Sequence, residues 1–167
     1  MPDCAREKLA DVHNSATRSR NMAAIRGTNT KPEMLLRKGL HARGFRFRLH
    51  EKTLPGRPDL VLPKYRAVLQ VNGCFWHGHN CYLFRWPATR EEFWRRKIAG
   101  NVARDTANIT ALRAAGWRVS LIWECALKGK LRWPDEEVID RVSLWLSSDD
   151  PVLELRGRDS AGNEGQG

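Results

Sequence analysis

A short irregular stretch that holds Cys74, His77, His79 and Cys81 most constrains how this chain can fold. Cys125 follows an apolar strand pattern further along the sequence. Zinc takes four ligands of these types at about 2.0–2.3 Å in a tetrahedron, and a tight loop plus one distant residue can supply them. The metal folds a loop that has too few apolar side chains to hold itself together. The pattern predicts a structural zinc site, with Cys74-x2-His77 and Cys74-x4-His79 as alternative loop pairs.

The absence of an export signal supports this interpretation of the cysteines. The N-terminus has no apolar segment, and no stretch approaches the roughly 20 apolar residues of a membrane span. We therefore expect a cytoplasmic protein with no membrane partner, in which cysteines are thiols or metal ligands rather than disulfides. The alternative is that they are ordinary buried thiols. Cys4 lies in a loose N-terminal arm and is predicted to be a free thiol.

The charge of the chain indicates a polyanionic partner. Its 167 residues carry a formal net charge of +10, with a sequence pI near 10.0. Nucleic acid is the commonest partner of a protein this basic, although a solvated basic face is the alternative. The length suits one core, so we expect one domain over residues 15–146, a flexible arm over 1–14 and a disordered tail over 147–167.

The hydrophobic pattern predicts a mixed α/β domain of order α-β-β-β-α-α-β-α. Short connections favour antiparallel pairing of the first three strands, and the helical crossover favours a parallel fourth strand. The expected elements are a helix from Pro32 that ends at Gly44, strands over 45–49, 59–62 and 67–71, a helix begun by the capping box of Thr89 and Glu92, a second helix over 102–115 that stops at Gly116, a strand over 117–123, and a helix from Pro134 through Trp145.

No acidic or aromatic residue identifies a function by itself. Asp59 opens an apolar strand, where a carboxylate can hold Mg²⁺, but Pro-Asp is also an ordinary turn dipeptide. Glu33 alone is typical of the first turn of a helix, where it favours the helix dipole, and Asp105 alone is typical of a solvated helix. Exposed aromatic side chains beside a basic surface can insert between DNA bases, and the same rings can instead pad a zinc loop from inside. The candidate wedge residues are Phe75, Trp76 and Trp94.

Several motifs together are similar to those of one family. The run from Asn72 to Cys81, NGCFWHGHNC, closely resembles the signature of the very short patch repair DNA mismatch endonucleases. The resemblance extends, in consistent order, over DVH at 11–13, ATRSRNM at 16–22, LPGRPD at 54–59, PATR at 87–90, FW at 93–94, GWRV at 116–119 and WECAL at 123–127. It covers roughly residues 11–145 and is much more specific than any single motif.

The resemblance implies a strand-specific, Mg²⁺-dependent endonuclease that nicks beside the T of a T·G mismatch left by deamination of 5-methylcytosine. It implies a restriction-endonuclease-like core of the PD-(D/E)xK type, with a mixed central sheet flanked by helices and a structural zinc loop. The implied partner is double-stranded DNA, with mismatch-repair proteins as possible additional partners. A single short domain that acts on one strand favours a monomer. The expected location is the bacterial cytoplasm, in association with the nucleoid.

The resemblance also implies roles for individual residues. Asp59 would be the central Mg²⁺ ligand, His77 would activate or position the attacking water, and Glu33 and Asp105 would support the metal site and its waters. The implied zinc ligands are Cys74, His79, Cys81 and Cys125. Phe75, Trp76 and Trp94 would wedge into the duplex, and Met22 and Ile25 would contact the opposite groove.

Asn72 departs from the family pattern, which has His at the corresponding position. Asn can hydrogen-bond a phosphate oxygen or water but cannot carry a positive charge or deliver a proton at neutral pH. The carboxylate-x-Lys of many related nucleases is also replaced, by Gln70-Val71-Asn72. We therefore expect greater reliance on metal-bound water and on His77. Two other hypotheses are a zinc module that binds nucleic acid without cutting it, and a nuclease of the same core that acts in restriction.

Overall fold

A computed structural model describes residues 28–158 of the chain. Met22, Ile25, the arm over 1–14 and residues 159–167 of the tail lie outside the described residues, so those predictions stay open. The chain divides into two compact units, Met1–Thr30 and Lys31–Gly167, and every element below belongs to the second. Between residues 28 and 158, no helix has the length and apolar character needed to cross a membrane.

The described chain forms four α-helices, five strands and one short 3-10 helix. In chain order they are α1 (Lys31–Ala42), β1 (Arg48–Leu49), β2 (Leu60–Leu62), the 3-10 helix (Pro63–Tyr65), β3 (Ala67–Asn72), α2 (Glu91–Ala114), β4 (Arg118–Trp123), α3 (Glu124–Leu127), α4 (Asp135–Leu146) and β5 (Val152–Leu155). Gly44 and Gly116 follow α1 and α2 with φ of +88° and +86°. Both helix ends predicted from glycine are thus confirmed, since glycine adopts this left-handed conformation without steric cost.

The strands form one mixed sheet of order β1-β2-β3-β4-β5. The first three are antiparallel neighbours, and β4 lies parallel to β3 and to β5. Helix α2 makes the crossover between β3 and β4, as expected for a parallel pair. Asn72 is paired with Trp123, so β3 and β4 end together. The loop after β3 and helix α3 after β4 therefore begin side by side.

Apolar side chains cover both faces of the sheet, which is why β4 is apolar along nearly its whole length. Helices α1 and α4 pack on one face, where the core includes Leu36, Leu40, Leu69, Ile122, Val138 and Val142. Helix α2 packs on the other face through Leu112, against Val61, Val68 and Val119. The long strands are held on both sides, so the loops at their carboxyl ends stand on a rigid support.

Two predictions about helices and strands are wrong in detail. Strand β1 covers only Arg48–Leu49 rather than residues 45–49. One continuous helix replaces the two expected between Thr89 and Ala115, and Arg90, at φ +56°, precedes it without a side-chain cap. The capping box does not form, and the acidic first turn of Glu91 and Glu92 favours the helix start instead. An isolated glycine such as Gly100 costs a helix about 1 kcal/mol, which tertiary packing overcomes.

The prediction that residues 147–167 are disordered is wrong for the segment that forms β5. Val152–Leu155 pairs in parallel with β4, and Leu155 is buried in the main core. Four residues with two apolar side chains on one face are too short a pattern to stand out in a polar tail. Their order comes from pairing with a distant strand, which local sequence does not encode.

Candidate functional site

Asp59 lies immediately before β2, with its carboxylate directed at the end of β3. Its Oδ2 accepts a hydrogen bond of 2.7 Å from the backbone N–H of Val71. Burial raises the pKa of Asp59 from its ordinary 3.8 to about 6, against the lowering effect of the Val71 hydrogen bond, and the nearby Glu33 carboxylate raises it further. Burial thus costs the ionised form more than the Val71 hydrogen bond and the nearby His50 and Arg37 side chains offset. A cation at this carboxylate would supply the remaining compensation.

Glu33 and His50 join Asp59 in one cluster. Glu33 is 1% exposed on α1, and its Oε1 contacts the guanidinium of Arg37 one turn later. His50 lies between the carboxylates, with Nε2 3.0 Å from Glu33 Oε1 and Nδ1 3.7 Å from Asp59 Oδ1. Ligand atoms of Glu33, His50 and Asp59 all lie within 4.8 Å of one another. Two carboxylates and an imidazole are a donor set that fits a divalent cation.

Sequence reasoning missed His50 and Arg37 as members of this cluster. Arg37 has the i,i+4 spacing from Glu33 that permits an ion pair on a helix, which is a weak signal. His50 only ends an alternating strand pattern. Its backbone has φ +47°, and its N–H donates to the carbonyl of Asp59 over 3.3 Å. This strained conformation, which brings the imidazole beside Asp59, is not visible in the sequence.

His77 and Asp105 form a second pair, on the loop after β3 and on α2. His77 Nδ1 lies 2.5 Å from Asp105 Oδ2. The carboxylate can only accept, so Nδ1 carries the proton and Nε2 keeps its lone pair. The side-chain amide of Asn101 donates to the carbonyl of Trp76 over 2.9 Å, which fixes the loop against α2. Asp105 thus contacts His77, whereas Glu33 is the acidic residue brought to Asp59.

The four predicted zinc ligands come together in space. Cys74, His79, Cys81 and Cys125 offer ligand atoms that lie within 4.8 Å of one another. His79 Nδ1 is 3.5 Å from Cys74 Sγ and 3.6 Å from Cys125 Sγ. A tetrahedral zinc with ordinary Zn–N and Zn–S bonds needs N···S separations of about 3.6 Å. The donor set and its spacing fit zinc, and His77 lies outside this cluster.

The surroundings of the cysteine cluster favour a bound cation. Burial raises the pKa of the Cys74 and Cys125 thiols, and a neighbouring cysteine raises each further. Burial lowers the pKa of His79, which keeps its imidazole neutral as a metal ligand must be. The backbone N–H of Gly157 donates to Cys125 Sγ over 3.2 Å. The His79 ring stacks on Trp123, with centroids 4.1 Å apart.

Asn72 is the last residue of β3 and is 7% exposed. It follows Val71, whose N–H holds Asp59, and precedes the loop that carries His77. Asn72, the residue that departs from the family pattern, therefore lies between the Asp59 cluster and the His77–Asp105 pair. Its effect on the reaction stays a prediction.

The three predicted wedge residues contact one another in a larger aromatic cluster. Phe75 lies 5.2 Å from Trp76 and 5.4 Å from Trp94 between ring centroids, and Trp76 lies 5.9 Å from Trp94. All three are half-buried. Phe84, Phe93 and Trp86 extend the cluster. The rings therefore pack on each other while still reaching the surface, and their insertion into DNA stays a prediction.

Comparison with known proteins identifies several relatives. A family described as DNA mismatch endonuclease Vsr matches residues 10–83. The chain is 49% identical over 138 residues to the DNA mismatch endonuclease Vsr of Escherichia coli (strain K12), across 83% of this chain and 88% of that protein. It is 51% identical over 106 residues to the type II nicking enzyme V.XorIIP of Xanthomonas oryzae pv. oryzae, across 64% and 78%. It is 43% identical over 122 residues to V.NmeAIP of Neisseria meningitidis serogroup A, across 73% and 87%.

Proposed function

Because this chain belongs to the Vsr family of DNA mismatch endonucleases, we propose that it nicks one strand of duplex DNA beside the T of a T·G mismatch. The reaction is Mg²⁺-dependent hydrolysis of a phosphodiester, and it starts very short patch repair of deaminated 5-methylcytosine. The proposal rests on the arrangement of side chains at the end of β3. There the Val71 N–H holds the Asp59 carboxylate, and the adjoining loop carries His77 against Asp105.

Asp59 is the residue that holds the catalytic cation. It is half-buried and fixed by a backbone hydrogen bond, so it presents a preorganised oxygen ligand. When bound, Mg²⁺ neutralises charge on the phosphate and stabilises the leaving oxygen. Glu33 adds a second negative charge close by, which strengthens the attraction of the site for a divalent cation.

His77 orients and deprotonates the attacking water. Asp105 accepts the Nδ1 proton, which leaves Nε2 as the basic atom and holds the ring in one orientation. Gln70 and Asn72 stand where many related nucleases carry a carboxylate and a lysine, and neither amide can act as a base at neutral pH. His77 is therefore a better-suited base than either of these amides.

The zinc centre has a structural role. Cys74 and Cys81 anchor the two ends of the loop that carries Phe75, Trp76 and His77, and Cys125 ties that loop to α3. With four protein ligands a zinc ion has no open position, so it supplies rigidity rather than chemistry. Without zinc the loop would lose its rigid conformation, and His77 and the aromatic rings of Phe75 and Trp76 would no longer be held in place.

The aromatic cluster and the charge explain binding to a mismatched duplex. Basic side chains neutralise phosphates, and the half-buried rings of Phe75, Trp76 and Trp94 insert beside the mismatch. A T·G pair is less stable than a matched pair, so unstacking costs less there than elsewhere. We propose a restriction-endonuclease-like core acting as a monomer, with mismatch-repair proteins as possible partners.

A strand-resolved nicking assay tests the substrate assignment. Duplexes of one sequence, with T·G or C·G at the central pair, carry a different end label on each strand and are incubated with zinc-loaded protein and Mg²⁺. We expect one nick, in the T strand beside the mismatch, and no cut in the C·G duplex. Binding without cutting would indicate a recognition module. Cleavage of the matched duplex in both strands would indicate a restriction nuclease.

A further inference from the structure

Basic side chains are concentrated in two short segments that follow β4 and β5. The segments are residues 128–132, KGKLR, directly after α3, and residues 156–158, RGR, directly after β5. Neither segment contains an acidic residue, and all five basic side chains are exposed. We call the two segments together the basic patch. The mechanism proposed above assigns no role to it.

Hydrogen bonds join the two segments into one surface. The backbone N–H of Arg158 donates to the carbonyl of Leu131 over 2.7 Å. The indole N–H of Trp133 donates to the carbonyl of Arg156 over 2.8 Å. The backbone of the basic patch is therefore fixed before any ligand arrives, and binding has little backbone left to order.

Part of the charge of the basic patch is free to bind an anion. Within residues 28–158, only Lys128 and Arg156 of the five form ion pairs with a carboxylate. Lys130 instead lies over the ring of Tyr82, with its Nζ 5.4 Å from the centroid. Arg158 lies over the indole ring named above, at 5.9 Å. An aromatic ring orients a cation and leaves its N–H donors available.

A cleft of about 260 Å³ opens between the basic patch and the segment after β3. Its lining includes Asn80, Tyr82, Leu131, Arg156 and Arg158, and none of the described residues that line it is acidic. Two guanidinium groups and an amide thus supply N–H donors around one concave space. The planar fork of an arginine matches the oxygens of a phosphate, so the chemistry of the cleft selects a phosphate group.

The basic patch lies on the same edge of the sheet as Asp59. The Asp59 carboxylate is bonded to Val71, and a row of paired residues continues through Ile122 on β4 to Leu155 on β5. Neighbouring strands are about 4.8 Å apart, so three spacings place Leu155 about 14 Å from Asp59. Each DNA strand carries a phosphate about every 3.4 Å along the duplex axis. A duplex that lies along this edge therefore brings a phosphate about four nucleotides from the nick to the basic patch.

On the premise of the function proposed above, we propose that the basic patch binds backbone phosphates of the cleaved duplex about four nucleotides from the nick. The cleft holds one phosphate between Arg156 and Arg158, and Lys130 contacts a neighbouring one. Phosphate contacts position a protein on the duplex and carry no sequence information. The basic patch thus adds affinity and fixes the register of the enzyme without adding mismatch selectivity.

The salt dependence of DNA binding tests the inference without any turnover. Fluorescence anisotropy gives the Kd of zinc-loaded protein, without Mg²⁺, for T·G and C·G duplexes across a range of NaCl concentrations. Each phosphate contact contributes about 0.9 to the slope of log Kd against log salt. We expect Lys130→Gln/Arg158→Gln to lower this slope by about 2 and to weaken binding of both duplexes by the same factor.

Lys64→Gln/Arg113→Gln is the matched control. Lys64 lies between β2 and β3 and Arg113 lies near the end of α2, just before β4, so both are at the end of the sheet opposite Asp59. Lys64 also lies over a tyrosine ring, with its Nζ 5.6 Å from the centroid. The control removes the same charge as Lys130→Gln/Arg158→Gln, and its salt slope should stay near the wild-type value.

Shortened duplexes locate the contact. Two duplexes are made that end about three base pairs from the nick, one on each side, so that each lacks the phosphates proposed for one direction. Wild type and Lys130→Gln/Arg158→Gln should bind one of them with equal affinity and differ on the other. Circular dichroism and zinc content establish that each variant is folded.

Neutral methylphosphonates in the DNA decide the inference with wild-type protein, even if a variant fails to fold. Replacing the phosphates about four nucleotides from the nick should weaken wild-type binding several-fold. No loss at these positions on either side of the nick would overturn the inference. An unchanged salt slope in Lys130→Gln/Arg158→Gln would also overturn it, and would indicate an acidic protein as the partner of this surface.

Nicking of the T·G duplex by the wild type reports on the proposed function separately. Protein that nicks, but whose salt slope is unaffected by Lys130→Gln/Arg158→Gln, refutes only the role of the basic patch. Protein that shows the expected change in slope and the methylphosphonate effect, but does not nick, refutes only the nickase.

Discussion

Replacing Asp59 by Asn should stabilise the protein while abolishing its chemistry. Burial raises the pKa of Asp59 from 3.8 to about 6, so the ionised carboxylate opposes folding when no cation is bound. Asn has nearly the same shape, and its carbonyl oxygen can still accept the hydrogen bond from the Val71 N–H. The substitution therefore removes a buried charge without removing the contact that orders this end of β3.

The sign and size of the effect follow from proton linkage. Between pH 3.8 and about 6 the folded chain keeps a proton that the unfolded chain has released. Stability from this group is thus fully present below pH 3.8 and is lost as the pH rises through 6. Because each tenfold change in an equilibrium constant corresponds to about 1.4 kcal/mol, Asp59→Asn should be more stable than wild type by about 2 kcal/mol at pH 5 and about 3 kcal/mol at pH 7.5.

Urea unfolding of zinc-loaded protein without Mg²⁺ measures this difference across pH 5–7.5. Titration of the groups remote from Asp59 is common to both proteins and cancels. Asp140→Asn is the matched control, because Asp140 is 61% exposed and pairs with Arg43 at the surface. Its free energy of unfolding should change by less than about 1 kcal/mol, with little dependence on pH. Added Mg²⁺ should narrow the gap between wild type and Asp59→Asn, because it binds the folded wild type.

The reasoning is refuted if Asp59→Asn is less stable than wild type at pH 7.5. It is equally refuted if the difference in unfolding free energy stays constant with pH, because a constant difference would mean that the carboxylate is not the source of the effect.

The remaining predictions concern the base, the zinc centre and the packing of α1. His77→Gln should lower the single-turnover nicking rate by about 10²- to 10⁴-fold with little change in DNA affinity by fluorescence anisotropy; an unchanged rate would exclude His77 as the base. Zinc removal with a chelator should change the tryptophan fluorescence, because Trp123 stacks on the ligand His79, and should lower the unfolding temperature; an unchanged unfolding temperature would contradict a structural zinc at this cluster. Gly39→Ala should destabilise by about 1–3 kcal/mol, because the added Cβ would lie 2.6 Å from Ile139 side-chain atoms, and this cost should be smaller when it is measured in an Ile139→Ala background.

Local spacing was enough to predict the cysteine cluster, because three of its four residues lie in one short loop. Apolar residues bounded by turn residues likewise predicted β2 and β3, alternation predicted β4, and the lengths of the connections predicted their mixed pairing. The choice between His77 and His79 could not be made from spacing alone, and it depended on the family resemblance. The structure brings His79 to the cysteines and His77 to Asp105.

Features that depend on distant parts of the chain could not be predicted. Strand β5 gains its order from β4, and its short sequence has no strong strand pattern. His50 reaches Asp59 through a left-handed backbone conformation and a contact across two strands. Helix α2 runs through Gly100 because packing on the sheet outweighs the local helix-breaking tendency.

The most direct test of metal-dependent nicking at Asp59 is a single-turnover Mg²⁺ titration on the T·G duplex. Zinc-loaded wild type, Asp59→Asn and Asp140→Asn are compared at equal DNA occupancy, with the rate of strand cleavage as the readout. Wild type and Asp140→Asn should reach the same maximal rate with the same Mg²⁺ dependence, and Asp59→Asn should show no cleavage at any Mg²⁺ concentration. Cleavage by Asp59→Asn at the wild-type rate and with the wild-type Mg²⁺ dependence would contradict the assignment of the catalytic cation to Asp59.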